Sequence, residues 1–142
     1  IKAFKNGELD KDFIAVLPFQ GPKHNGMPEL HQLTPTLTIL QKKGFKVALV
    51  TDGRMSGASG KVPAAIHMSP EASKGGSIGK IITGDLLTLN CVEGTLTCHE
   101  SDFEQRAIVT RESTDQVGLG RELFGVFRRQ VTDSEEGACT LF

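Results

Sequence analysis

"KVALVTDGRMSGASGKVPAA" (46–65) decides how this chain is laid out. Its opening run, "KVALVT" (46–51), is apolar without alternation, which predicts a short strand buried on both faces, as in a parallel sheet. The stretch at its end, "TDGRMSGASGK" (51–61), holds three glycines, two serines, an Arg, a Lys and an Asp. A plain turn needs one or two glycines. So rich a stretch at the end of a buried strand predicts a binding loop.

Working outward, "TPTLTILQKKG" (34–44) reads as the helix preceding that strand. Thr34 is the expected N-cap and Pro35 the first helical residue, Leu37, Ile39 and Leu40 form the apolar stripe, and Gly44 ends it. "FIAVLPF" (13–19) reads as another strand, with Pro18 marking an edge or a bulge. "QGPKHNGMPEL" (20–30) between them is dense in Gly, Pro and Asn and reads as an irregular loop. "VPAAIHM" (62–68) fits a strand or a short helix. Beyond residue 75 the pattern changes to short alternating pieces. "SIGKII" (77–82), "DLLTLN" (85–90) and "GTLTCHE" (94–100) are the expected small strands. Ser101 and Glu104 have the spacing of a capping box. "GLGRELFGVFRRQV" (118–131) reads as an amphipathic helix, with Leu123, Phe124 and Phe127 inward and Arg128 and Arg129 at its C-terminal end. The expected class is α/β, β-rich, in a single domain over 1–142.

Composition narrows the functions. The 142 residues carry 16 basic and 17 acidic side chains, a balance that points to neither nucleic acid nor a membrane surface. No apolar run approaches the roughly 18 residues of a membrane span. Cys91, Cys98 and Cys139 are odd in number and widely spaced, which fits a reducing, cytoplasmic setting and argues against a disulfide framework. Cys91 and Cys98 fall on strand patterns and read as packing residues. The chain begins at Ile1 and has neither Trp nor Tyr; it reads as a C-terminal piece of something longer.

The glycine-rich loop fails the nucleotide motifs. Six residues separate Gly53 from Gly60-Lys61 and Val62 comes next, where a phosphate loop needs four and then Ser or Thr. G-x-G-x-x-G is absent, and G-x-S-x-G is not met at Ser56, which Gly57 follows directly. Its chemistry is an inventory: hydroxyls at Ser56 and Ser59, cationic donors at Arg54 and Lys61, and glycines at 53, 57 and 60 that let a ligand approach the backbone. Such a loop suits a carboxylate or phosphate; a solvated turn is the alternative. Asp52 reads as a cap of the loop. In the earlier loop, Glu29 reads as a surface or helix-start charge or as a ligand or catalytic group, beside His24 and His31. His67, in an apolar stretch, reads first as a hydrogen-bonded core residue.

Taken together, "GPKHNGMPELHQLTP" (21–35) and "VALVTDGRMSGASGKVPAAIHMSPEA" (47–72) are far more specific than either loop. They resemble the C-terminal domain of the dihydroxy-acid dehydratase / 6-phosphogluconate dehydratase family, which shares the G-M-P-E and T-D-G-R-x-S-G blocks. "NGMPELH" and "DGRMSGASGKVPAA" look like the 6-phosphogluconate branch, and the likeness continues through "GRELFGVFRRQV" to "EEGACTLF". The resemblance implies a small β-barrel with flanking helices, of the swivelling β/β/α kind, preceded in the family by a larger N-terminal domain. It implies a hydro-lyase that removes water from 6-phospho-D-gluconate in the Entner–Doudoroff pathway. An iron–sulfur cluster, expected to be 4Fe-4S, serves as Lewis acid, and Mg²⁺ or a similar cation lies beside the substrate carboxylate. By position in the motifs, Glu29 matches a metal ligand and Ser56 the serine base, with Arg54, Ser59 and Lys61 as substrate-binding candidates. Cluster ligands are expected outside this chain, since its cysteines match none of those motifs. The expected partners are the phosphorylated sugar acid, the N-terminal domain and a second copy in a homodimer, and the fragment alone is expected to be inactive. Dehydration of another sugar acid or dihydroxy acid, or a non-catalytic assembly module, are the rival readings.

Overall fold

A computed structural model describes residues 1–56, 60–111, 118 and 120–141. After a short helix, α1 (Lys2–Lys5), come strand β1 (Phe13–Leu17), a single-turn helix α2 (Pro22–Asn25), helix α3 (Leu33–Lys42) and strand β2 (Val47–Thr51). A two-residue strand, β3 (Ala64–Ala65), completes a three-stranded parallel sheet in the order β1-β2-β3. Phe13 lies opposite Val47 and Leu17 opposite Thr51, so β1 and β2 run in register along their whole length. Parallel neighbours need a crossover, and α3 supplies it.

As expected, β2 is central and every residue of it is buried. Val47 and Leu49 join Leu37 and Leu40 of α3 and Val62 in one cluster, while Val50 packs on the other face with Phe19, Ala72 and Ile78. A strand covered on both sides gains nothing from alternation, hence its unbroken apolar run. The edge position of β1 agrees with Pro18 just past its end.

Helix α3 begins two residues earlier than its sequence suggests. Gln32 is its N-cap and makes no side-chain cap bond. Thr34 instead lies buried within the first turn, its hydroxyl donating to the Leu30 carbonyl at 3.5 Å. Leu37 and Leu40 face the core, but Ile39 is 45% exposed, because it sits on the far side of a helix whose buried stripe recurs every three to four residues.

The second half departs further. Residues 77–80 coil into a 3-10 turn rather than a strand. Ile78 and Ile81, three apart, then fall on one side and both pack into the second cluster. Strands β4 (Leu87–Asn90) and β5 (Thr95–Cys98) form an antiparallel hairpin. The Asn90 carboxamide oxygen accepts the Val92 and Glu93 N–H groups at 3.0 and 3.1 Å and closes its turn. Cys91 lies exposed in that turn rather than on a strand. Among the described residues this hairpin pairs only with itself and β3 is two residues long, so the sheets stay separate and no closed barrel forms. The architecture is mixed α/β with one parallel and one antiparallel sheet.

After the hairpin, residues 103–105 form a 3-10 turn capped at Asp102 without a side-chain bond, so the expected box at Ser101 does not form. Asp102 instead receives two hydrogen bonds from Arg106, whose Nη1 also donates to Asp85 at 2.6 Å. A capping box does form later, between Asp133 and Glu136.

The C-terminal helix is split into a 3-10 turn (Arg121–Phe124) and helix α4 (Gly125–Gln130). Its expected inward face is largely outward: Leu123, Phe124 and Phe127 are 70, 56 and 41% exposed, and Val131 is the residue that reaches the interior. A 3-10 turn advances 120° per residue against 100° in an α-helix, so one apolar stripe cannot stay aligned through the junction. Arg128 and Arg129 do occupy the last turn. No helix among the described residues is long and apolar enough to cross a membrane.

Candidate functional site

The end of β2 is held by side chains of its own sequence. Thr51 donates its hydroxyl to the Leu17 carbonyl at 2.7 Å and accepts the Gly53 N–H at 3.0 Å. Asp52 is fully buried. One of its carboxyl oxygens accepts the N–H groups of Phe19 at 3.0 Å and Ala72 at 2.9 Å; the other accepts Gln20 at 2.8 Å. A single side chain therefore joins the end of β1, the end of β2 and the segment after β3, and the expected loop-capping role is what the geometry displays. Gly53 is required by proximity, since a Cβ there would lie 2.6 Å from that of Gln20.

A second buried carboxyl, Glu71, works beside it. It accepts the backbone N–H groups of Lys23 at 2.8 Å and His24 at 2.9 Å, and the Ser73 hydroxyl donates to it. Gly21 makes room, because a Cβ there would stand 2.5 Å from a Glu71 oxygen. Sequence reasoning marked Asp52 but missed Glu71, whose only sign is its place in "SPEA" after an apolar run. Its backbone partners, Lys23 and His24, lie nearly fifty residues away, out of reach of any local pattern.

These clamps bring the two motif loops together. Glu29 and Arg54 form a parallel β-bridge, and the Arg54 Nε donates to the Met27 carbonyl at 2.8 Å. Met27 holds a left-handed backbone, φ 53°, to present that carbonyl. Glu29 and Arg54 keep exposed side chains at the junction, Ser56 is half-buried two residues beyond, and Lys61 is exposed. Ser59 lies outside the described residues. The structure thus unites Glu29, Arg54 and Ser56 on one pair of loops.

The histidines do less. His24 packs its ring on Phe19, 5.0 Å between centroids, and His31 is exposed. His67 is exposed as well, at φ 57°, so it is no core residue. Its N–H donates to the Gly53 carbonyl at 2.9 Å and turns the chain back along the loop.

Two cofactors can be tested against the donor set. Among the described residues no three His, Cys, Asp or Glu side chains gather as metal ligands. Cys91, Cys98 and Cys139 are free thiols, and the chain's described residues do not fit an iron–sulfur cluster. Glu29 fits a single carboxylate ligand of a hard divalent cation and no more.

A cavity of about 390 Å³ opens beside the first motif loop, between Asn25, Gly26 and Met27 on one side and Phe124, Phe127 and Arg128 on the other.

Known proteins share this arrangement in sequence. The chain is 57% identical to a phosphogluconate dehydratase of Helicobacter pylori over 96% of its length and 24% of the relative's. It is 53% identical to a phosphogluconate dehydratase of Pseudomonas aeruginosa, over 97% of the chain and 23% of the relative. A dihydroxy-acid dehydratase of Methanosphaera stadtmanae is 34% identical over 97% of the chain and 25% of that protein. The chain thus spans about a quarter of the length of these relatives. The family model described as dihydroxy-acid/6-phosphogluconate dehydratase C-terminal matches residues 1–138, and the chain belongs to that family.

Proposed function

We propose that the chain is the C-terminal part of a hydro-lyase that dehydrates 6-phospho-D-gluconate to 2-dehydro-3-deoxy-6-phosphogluconate, as in the Entner–Doudoroff pathway. The observation that carries this reading is the bridge between Glu29 and Arg54, reinforced by the Arg54–Met27 bond, which places the two motif loops edge to edge. Identity favours the phosphogluconate enzymes over the dihydroxy-acid branch, 57 against 34%.

In this reading a base removes the C2 proton, the C3–O bond breaks and hydroxide departs, and the remaining enol takes a proton at C3 as it ketonises. Ser56 is the base. A hydroxyl is a poor one at its ordinary pKa, so the alkoxide needs a positive field. Arg54 contributes to that field with the N–H donors left over from its bond to Met27, and these also suit the substrate carboxylate. Ser59 and Lys61 complete the anion contacts. Glu29 lends its carboxylate to a divalent cation such as Mg²⁺ whose other ligands come from outside this chain. An iron–sulfur cluster, held entirely outside it, supplies Lewis acidity toward the leaving hydroxyl when bound. The partners are the N-terminal portion that carries those ligands and a second copy of the enzyme, in the cytoplasm, and the fragment alone is inactive.

The test is a substrate comparison with the full-length enzyme. Turnover of 6-phosphogluconate to the 2-keto-3-deoxy product, well above that of gluconate and 2,3-dihydroxyisovalerate, supports the reading. Preference for dihydroxyisovalerate moves the enzyme to the other branch, and no dehydration of any of them rejects it.

A further inference from the structure

The cavity beside the first motif loop has no part in the proposed proton and hydroxide transfers. Its walls are largely apolar, with Asn25 and Thr140 as neutral polar residues and Arg128, half-buried, as the one charged side chain, entering from the last turn of α4. A guanidinium has five N–H donors. The described bond of Arg128 takes one, from Nη2 to the Arg121 carbonyl at 3.1 Å. No carboxylate among the described residues pairs with it. A cation set among Phe124, Phe127 and Val131 is partly desolvated, and an anion brought to it gains more than it would at an open surface.

The backbone around the cavity is also unusual. Four non-glycine residues of the described chain have left-handed φ, and two of them, Met27 at 53° and Ala138 at 49°, line this cavity. Strained residues of this kind persist where surrounding structure fixes them, and they concentrate at ligand clamps. Met27 precedes Glu29 by two residues and is bonded to Arg54. The cavity therefore adjoins the loops proposed to handle the reacting end of the substrate.

We infer that this cavity is the subsite for the phosphoryl end of the sugar acid, with Arg128 its anchoring cation and the specificity determinant for phosphorylated substrates. The inference deepens the dehydratase reading and rests on it. A six-carbon 6-phospho acid carries its reacting carbons and its phosphoryl group at opposite ends. Met27, tied to Arg54, and Arg128 line the same cavity, so an anion held by Arg128 sits in a space that adjoins the Glu29–Arg54 junction. Arg suits the task because its planar fork pairs with two phosphate oxygens through parallel N–H bonds, where an ammonium acts as a point charge.

The experiment uses the full-length enzyme, its Arg128→Gln and Arg128→Lys variants, and Arg129→Gln as a neighbouring control. Steady-state kinetics on 6-phosphogluconate and on gluconate give the preference for the phosphorylated acid. Arg128→Gln should lower that preference roughly ten- to a hundredfold, through a higher KM for 6-phosphogluconate, the range expected for hydrogen bonds to a charged group. Arg128→Lys should recover part of it, and Arg129→Gln should keep the parent's ratio. Inorganic phosphate should inhibit the parent competitively, with an inhibition constant raised by a similar factor in Arg128→Gln. Unfolding midpoints near the parent's exclude general loss of structure. Normal turnover with an unchanged preference in Arg128→Gln overturns this inference alone. Equal losses on both substrates also overturn it, since they place Arg128 on a group the two acids share. A parent enzyme that turns over neither acid overturns the dehydratase reading and this subsite with it.

Discussion

Asp52 has no cationic partner among the described residues; three backbone N–H groups satisfy its carboxyl oxygens instead. Removing such an acceptor leaves buried donors unsatisfied, at about 1–3 kcal/mol each. Asp52→Ala should therefore lose at least about 3 kcal/mol of unfolding free energy, while Asp52→Asn, which keeps one acceptor oxygen, should lose less. Urea denaturation checks both, and a parent-like midpoint for Asp52→Ala would leave the clamp without energetic weight. Ser56 is the opposite kind of residue, half-buried and outside the core clusters. In the full-length enzyme Ser56→Ala should cut turnover roughly a thousandfold or more and shift stability by no more than about 0.5 kcal/mol. Retained turnover would remove Ser56 from the base role.

Elements carry the loops to each other. Gly76 follows the turn that positions Glu71, and a Cβ there would lie 1.7 Å from the Pro70 carbonyl oxygen. Gly76→Ala must shift that turn and with it the carboxyl that holds Lys23 and His24. Hydrogen exchange should show faster amide exchange at both positions, whereas unchanged protection there would uncouple the turn from the loop. In β2, Leu49→Ala should cost about 2–5 kcal/mol by leaving a cavity against Leu37 and Leu40. Much at this scale was legible in sequence, because β2, α3 and the hairpin announce themselves through periodicity and turn residues. "SIGKII" differs from its reading because a 3-10 period and a strand alternation both fit a handful of residues, and the face of 118–131 differs because a 3-10 turn precedes α4 and breaks the helical stripe. The motif loops were recognisable by resemblance, but their contact was not: the bridge between Glu29 and Arg54, and the reach of Glu71 to Lys23, are products of tertiary placement.

Over the whole molecule, Arg106 joins the segment before the hairpin to the turn after it. Its hydrogen bonds hold the carboxyls of Asp85 and Asp102 below the ordinary aspartate range, and its own pKa is raised in return. A carboxyl whose folded pKa is depressed stabilises the fold at pH above its unfolded value. That contribution fades as pH falls below about 4 and through the folded values. The parent should lose stability between about pH 4 and the acid limit more steeply than Arg106→Gln. Denaturation midpoints at pH 7 and pH 3 test this: the gap between the two proteins should be wide at pH 7 and narrow at pH 3. A gap independent of pH would mean that Arg106 acts through packing alone.

Gly53 and Gly60 bracket the loop that carries Ser56, and they differ in what they would permit. At Gly53 the backbone of the neighbouring strand end is already within contact distance of any added carbon, whereas a Cβ at Gly60 meets no described atom within 4 Å. The loop is thus closed to an added side chain at Gly53 and open to one at Gly60. Divergence of substrate preference within the family, or its redesign in the laboratory, has room at position 60, where an added side chain meets no described atom.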